Sequence, residues 1–224
     1  ERSLDDTIDL VSKYDLAYEP GTKWVYSGVG YCVLGRLLEV ALGKSLEVIS
    51  QETLFRPLGL SNTTFLPSRE MRKTVPTAYN REGGQLKAKA SLAEIDELRF
   101  ILPGGSLFTN LDELAAFGQM HMNDGFYNGK RVLSEKSVTE MRKLQSSVRP
   151  GRTYGLGWFR EDVSELGLAD KTYHGGSLGA HLRIDRRRKL VWAFLVHQSG
   201  PQVKPLKDKL IDQVNEMFPL LNDH

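Results

Sequence analysis

The stretch that most constrains this chain is Lys171-Thr172-Tyr173-His174-Gly175-Gly176-Ser177-Leu178-Gly179-Ala180-His181. Two strand-like runs follow from it, Ala180 to Asp185 and Leu190 to Gln198, joined by the charged turn Arg186-Arg187-Arg188-Lys189. Three glycines in five residues, placed after an aromatic and a histidine, mark backbone that must approach something closely. A strand ending in His-Gly-Gly-Ser sets an imidazole beside free backbone N–H groups, the pairing that acyl transfer uses to hold a developing oxyanion. A glycine bulge opening a hairpin accounts for the same residues without any chemistry.

At 224 residues the chain is long enough for one large domain or two small ones. Its net charge of +2 gives no argument for nucleic acid or an anionic membrane surface. The single cysteine, Cys32, excludes internal disulfides and multi-cysteine zinc sites, and its apolar surroundings predict a buried thiol. No apolar run approaches the roughly 20 residues of a membrane span. The start, Glu1-Arg2-Ser3-Leu4, has neither methionine nor signal peptide and reads as the middle of a longer protein.

Taken in order, residues 1–16 predict a short helix with Ile8, Leu10, Val11 and Leu16 as apolar positions. Pro20-Gly21 predicts a turn, Trp24 to Tyr26 an extended piece, and Gly28 with Gly30 a tight bend. A helix over about 31–42 follows, with Val33, Leu34, Leu37, Leu38 and Ala41 at helical spacing and Gly43 as its stop. Ser45 caps the next helix, which Pro57 should halt. Residues 61–100 read as a polar surface excursion with a strand pair around Gly83-Gly84. Asn110 and Glu113 suggest a capping box for a helix facing inward through Leu111, Leu114, Ala115 and Gly118. Ser134 caps another, with Val138, Met141 and Leu144 as its stripe. Tyr154 to Phe159 reads as a strand, and a last helix over about 205–218 repeats Leu206, Leu210 and Val214. Strands cluster late, among helices, which argues for an α+β fold with an antiparallel sheet.

Six blocks then fall in one order: Pro20-Gly21-Thr22-Lys23-Trp24-Val25-Tyr26-Ser27-Gly28, Leu34-Gly35-Arg36-Leu37-Leu38-Glu39, Pro57-Leu58-Gly59-Leu60, Gly104 to Leu114, Tyr154-Gly155-Leu156-Gly157-Trp158, and His174-Gly175-Gly176. Together they resemble the serine β-lactamase-related family of class C β-lactamases, penicillin-binding D-Ala-D-Ala peptidases and esterases, over roughly residues 17–218. The resemblance implies a β-lactamase/transpeptidase-like fold: an antiparallel sheet with packed helices and a helical subdomain. Residues 17–150 would form its mainly helical region, and 151–224 the late strands and C-terminal helix. It also implies an acyl-enzyme hydrolase acting on a small-molecule ester or amide, with no metal or organic cofactor and no nucleic acid partner. A bacterial periplasmic or secreted setting would suit such a protein.

That family's machinery has three parts: Ser-x-x-Lys with the nucleophile, Tyr-x-Asn, and Lys-Thr-Gly or its His-x-Gly variant. The second maps to Tyr26-Ser27-Gly28, so the resemblance makes Tyr26 a proton relay; a tyrosine packed in a loop is the plainer alternative. A phenol with pKa about 10 needs a cationic neighbour for that task. The third maps to His174-Gly175-Gly176, which would put His174 opposite Tyr26, tuning its proton affinity or orienting substrate, and make the Ser177 N–H an oxyanion donor. Gly28, Gly175 and Gly176 would line the substrate, although Gly28 stands where the family often has asparagine and Gly175 where it has threonine. That weakens the case for a β-lactamase or carboxypeptidase proper and leaves room for an esterase or a hydrolase of another amide. No serine here begins Ser-x-x-Lys, and only 25 residues precede Tyr26. The expectation is a partial domain, lacking its N-terminal part and inactive alone, whose nucleophile comes from a missing N-terminal segment or another chain and whose uncovered apolar surface would receive it.

Rival readings remain. Gly175-Gly176-Ser177-Leu178-Gly179 satisfies the nucleophile-elbow pattern, with Asp185 and His197 following in triad order, but that motif needs a helix after the turn. A β-lactamase-like scaffold that binds without catalysis is the rival from another class. The histidines have no metal-ligand spacing, and Glu94, Asp96 and Glu97 read as a solvated face.

Overall fold

A computed structural model describes residues 3–89, 101–198 and 203–220. They form two compact units, one of Glu1–Val75 with Ala93–Asn110, the other of Pro76–Leu92 with Leu111–His224. Glu94, Asp96 and Glu97 lie outside the described residues.

The first unit is helical. Helix α1 (Leu4–Val11) opens on a capping box in which the Ser3 hydroxyl accepts from the Asp6 N–H and the Asp6 carboxylate accepts from the Ser3 N–H. Of its apolar residues Leu4 is buried, whereas Leu10 and the following Leu16 stand in solvent, so the inward face sits earlier than the sequence suggested. Helix α2 (Gly28–Leu42) is capped by Ser27 and closed by left-handed Gly43. Gly28 and Gly30 therefore form its first turn rather than a bend before it. Only Cys32 and Gly35 are buried along α2. A Cβ on Gly35 would come within 2.8 Å of Pro103 and 3.3 Å of Leu46, so glycine lets those neighbours close onto the helix. Arg36 ties α2 to α1 through Asp5.

Helix α3 (Leu46–Ser50), also capped by serine, runs through a π-helical turn (Gln51–Phe55) into α4 (Arg56–Leu58) and ends at left-handed Gly59. Pro57 stands one residue before the end of this run, so the helix stops where the sequence predicts, with left-handed Gly59 as its cap. Glu47 anchors the chain that returns, accepting from the Phe65 N–H and the Thr64 hydroxyl. Helix α5 (Arg69–Thr74) lies in the stretch expected to be irregular.

The second unit is built on a sheet. Strands β1 (Tyr79–Glu82) and β2 (Gln85–Ala88) make the expected hairpin, turning at Gly83 and Gly84, both with positive φ. Helix α6 (Leu111–Met122) buries Glu113, Ala116, Gly118, Met120 and His121, while Leu111 is exposed. Strands β3 (Phe126–Tyr127) and β4 (Lys130–Arg131) form a small ribbon. Helix α7 (Glu135–Arg142) is capped by Ser134 and buries Val138; Leu144, beyond its end, is exposed. Strands β5 (Ser146–Arg149), β6 (Arg152–Tyr154), β7 (Phe159–Val163), β8 (Ala169–Gly175), β9 (His181–Asp185) and β10 (Leu190–Phe194) form one antiparallel sheet in which sequence neighbours pair throughout. The run Tyr154 to Phe159 is thus not one strand but the β6–β7 turn. Gly155 sits so close to Met141 that a Cβ there would meet its carbonyl oxygen at 2.1 Å.

Trp158, Leu182 and Ile184 centre the core, with Phe117 of α6, Met141 of α7 and Val191 of β10 packed on them. Helix α8 (Val203–Met217) completes the unit, with Leu206 and Met217 exposed. Among the described residues no helix is long and apolar enough to cross a membrane.

Candidate active site

Each unit holds one part of the constellation expected from the sequence. In the helical unit, the Ser27 hydroxyl accepts the Gly30 N–H at 2.9 Å. It is spent as the α2 cap, which leaves Tyr26 just outside the helix N-terminus. The Tyr26 ring stands 6.4 Å from that of Trp24 and is more than half exposed. The loop holding Gly104 rests against this first turn; a Cβ on Gly104 would lie 3.4 Å from Tyr31 and 3.8 Å from Gly28 Cα. Gly28 itself has open space where a side chain would point.

In the sheet unit, His174 and Gly175 end β8, paired with Leu182 and His181 of β9. Gly176 to Gly179 make the connecting turn, closed by Gly179 N–H donating to Gly176 O and Gly176 N–H to Ala180 O. Gly179 has φ +89, and a Cβ there would strike Val196 at 2.5 Å, so this glycine both shapes and docks the turn. Gln198 N–H donates to Leu178 O and holds the turn from the far side. With the Gly176 and Gly179 donors occupied, the Ser177 N–H has no acceptor among the described residues.

The His174 ring lies against Phe159 at 5.5 Å and meets Tyr154 edge-on at 6.2 Å. Its Nδ1 is 3.0 Å from Gly175 O, which places the proton on Nδ1 as donor. Burial lowers its pKa below the ordinary histidine value, the bond to Gly175 opposes that, and the Arg152 charge lowers it further. His174 is therefore mainly neutral at pH 7 and acts as a hydrogen-bonding group rather than as a standing cation. The cation beside it is Arg152, which sequence reasoning missed. Its guanidinium lies over the Phe159 ring, 3.9 Å from the centroid. An isolated arginine two residues before Tyr154 carries no sequence signal.

The elbow reading fails on geometry. A strand, β9, follows the Ser177 turn where the motif requires a helix. Asp185 pairs with Arg188 and Lys171, and His197 Nδ1 contacts Pro76 O at 2.7 Å, so neither is aligned as a triad partner. Among the described residues no group of three or more metal-ligating side chains converges.

The model of the family described as Beta-lactamase matches residues 1–216. A relative from Bacillus subtilis (strain 168), N-acetylmuramyl-L-alanine amidase, is 30% identical, with 96% of this chain and 53% of that protein covered. The chain spans about half the length, or less, of the curated relatives it matches. Among solved structures, simvastatin synthase from Aspergillus terreus (the LovD6 mutant) superposes with TM-score 0.77 at 18% identity, covering 96% of this chain and 61% of the other. A penicillin binding protein from Bacillus halodurans gives TM-score 0.71 at 17% identity, covering 93% and 63%. With a family match across nearly its whole length and an antiparallel sheet and helices that superpose on these folds, the chain belongs to the beta-lactamase family.

Proposed function

We propose that the chain is part of a serine hydrolase that opens ester or amide bonds through an acyl-enzyme, with the nucleophile supplied by residues outside it. The observation that carries this reading is the β8–β9 turn, where the Ser177 backbone N–H, without an acceptor among the described residues, follows a histidine at a strand end. An N–H held by a rigid turn needs no reorganisation when a carbonyl oxygen gains charge, and that is how an oxyanion donor lowers a barrier. Tyr26 relays the proton between nucleophile and leaving group. His174, mainly neutral, orients substrate by hydrogen bonding, and Gly28, Gly175 and Gly176 line the substrate. The amidase name of the Bacillus relative supports amides among the substrates. The absence of Ser-x-x-Lys from these 224 residues, together with their span of about half the relatives' length, supports a nucleophile elsewhere.

Intact mass after incubation with a fluorophosphonate, which labels activated serines, tests the reading. The chain alone should gain no adduct. A longer protein containing it should gain one outside these residues, and Tyr26→Phe should slow that labelling by about a hundredfold or more. An adduct on Ser177 would overturn the assignment, and undiminished labelling of Tyr26→Phe would remove the tyrosine from the mechanism.

A further inference from the structure

Two described lysines of the sheet unit are half-buried, Lys171 and Lys207, and their surroundings differ. Lys171 lies between carboxylates, 2.6 Å from Asp162 and 3.6 Å from Asp185. Lys207, on α8, ends 3.4 Å from His181 Nδ1. Among the described residues no carboxylate pairs with it, and the adjacent Asp208 is taken by Lys204. His181 offers it a lone pair but no charge. That ring is buried, stacked on Tyr173 and edge-on to Trp192, and its Nε2 is enclosed without a partner among the described residues. Burial holds the imidazole neutral. A second cation stands close by: the Arg183 guanidinium, paired with Glu161, lies over the Tyr173 ring, 5.4 Å from its centroid. The Lys207 ammonium is thus partly desolvated beside a neutral acceptor and another cation. Burial lowers its pKa, Asp208 opposes that, and the Lys204 and Arg183 charges lower it further.

We propose that Lys207 is a site of covalent acylation, an amine that takes an acyl group from activated donors such as anhydrides, acyl phosphates and thioesters. The proposal does not rest on the hydrolase reading above. A desolvated lysine is a nucleophile near neutral pH because a larger share of it carries a free lone pair. That lone pair attacks the acyl carbon and a C–N bond forms. The leaving group departs with the electrons of its own bond to that carbon, and the surplus amine proton passes to water. The resulting amide keeps one N–H for His181 Nδ1 and sheds the charge that burial and Arg183 oppose. The modified side chain therefore suits its surroundings better than the ammonium does.

Competitive labelling of the chain tests this. A trace of acetic anhydride is followed, after denaturation, by an excess of the deuterated reagent, and peptide mass spectrometry reads the rate at each lysine. Lys130, exposed on β4, is the internal reference. At about pH 7.5, Lys207 should acetylate at least about threefold faster than Lys130. Asp208→Asn removes the carboxylate that favours the ammonium and should raise the ratio of the two rates, whereas Arg183→Gln removes a repelling cation and should lower it, each by about twofold. Unfolding drives every ratio toward one, so a rise in Asp208→Asn cannot come from a damaged fold. A Lys207 rate no greater than that of Lys130 would overturn the proposal, and so would a ratio that Asp208→Asn leaves unchanged or lowers.

Discussion

Helices α2 and α6 have similar apolar content and opposite fates. Along α6, Ala116, Met120 and His121 sink into the sheet unit, and Met120 is fully buried. Along α2, Val33, Leu34, Leu37, Leu38, Val40 and Leu42 are all exposed, and only the narrow line of Cys32 and Gly35 is covered. An apolar face of that width is unusual for a surface helix. The comparison teaches that periodicity reveals a helix and its stripe but not what lies against the stripe. In the sheet unit the chain supplies the cover itself; on α2 the described residues do not.

The largest effect expected from breaking this contrast is Met120→Ala. It removes a side chain at 0% exposure and should destabilise the sheet unit by about 2–5 kcal/mol. Urea unfolding followed through Trp158 and Trp192 reads that unit, and a midpoint unmoved relative to the parent would show that α6 does not anchor it.

Acid should weaken the same unit next. The described histidines all belong to it, and two are buried: burial pulls His121 down to about 4, helped by Arg186, and His181 down to about 3, helped by Lys207, Arg183 and His174 against Asp208. Unfolded histidine titrates near 6.5, so as pH falls the unfolded chain binds protons before the folded one. The stability these neutral rings contribute is complete above about pH 7 and is lost progressively toward pH 4 and below. Between pH 7 and 5, His121 alone should cost about 2 kcal/mol. His121→Gln should flatten the slope, and a slope unchanged by that substitution would mean that His121 is not held neutral.

The sequence-level reading failed where the answer depended on a distant neighbour. The Gly83-Gly84 hairpin and the Gly176–Gly179 turn were legible because positive φ and close approach leave their mark on residue type. The serine caps at Ser45 and Ser134 were legible for the same local reason. The β6–β7 turn was not, since Tyr154-Gly155-Leu156-Gly157-Trp158 alternates like a strand and only the Met141 carbonyl, packed on Gly155, explains the break. Neither the neutrality of His174 nor the placing of Arg152 over Phe159 is written in the chain, because both are set by what surrounds them.

The smallest effect tests α2. Leu37 is 61% exposed, so Leu37→Ala should change the stability of the helical unit, read through Trp24, by a few tenths of a kcal/mol. The lost apolar contact is slight, and alanine is the better helix former. A loss of about 2 kcal/mol or more would mean that the face is already covered in solution, and dependence of that loss on protein concentration would identify the cover as another copy. In a longer protein whose added residues pack on α2, the same substitution should cost about 2–5 kcal/mol, the ordinary price of emptying a core position. The difference between the two measurements is then the share of α2 burial that comes from outside these residues. If it is near zero, the exposed stripe serves something other than completion of the domain.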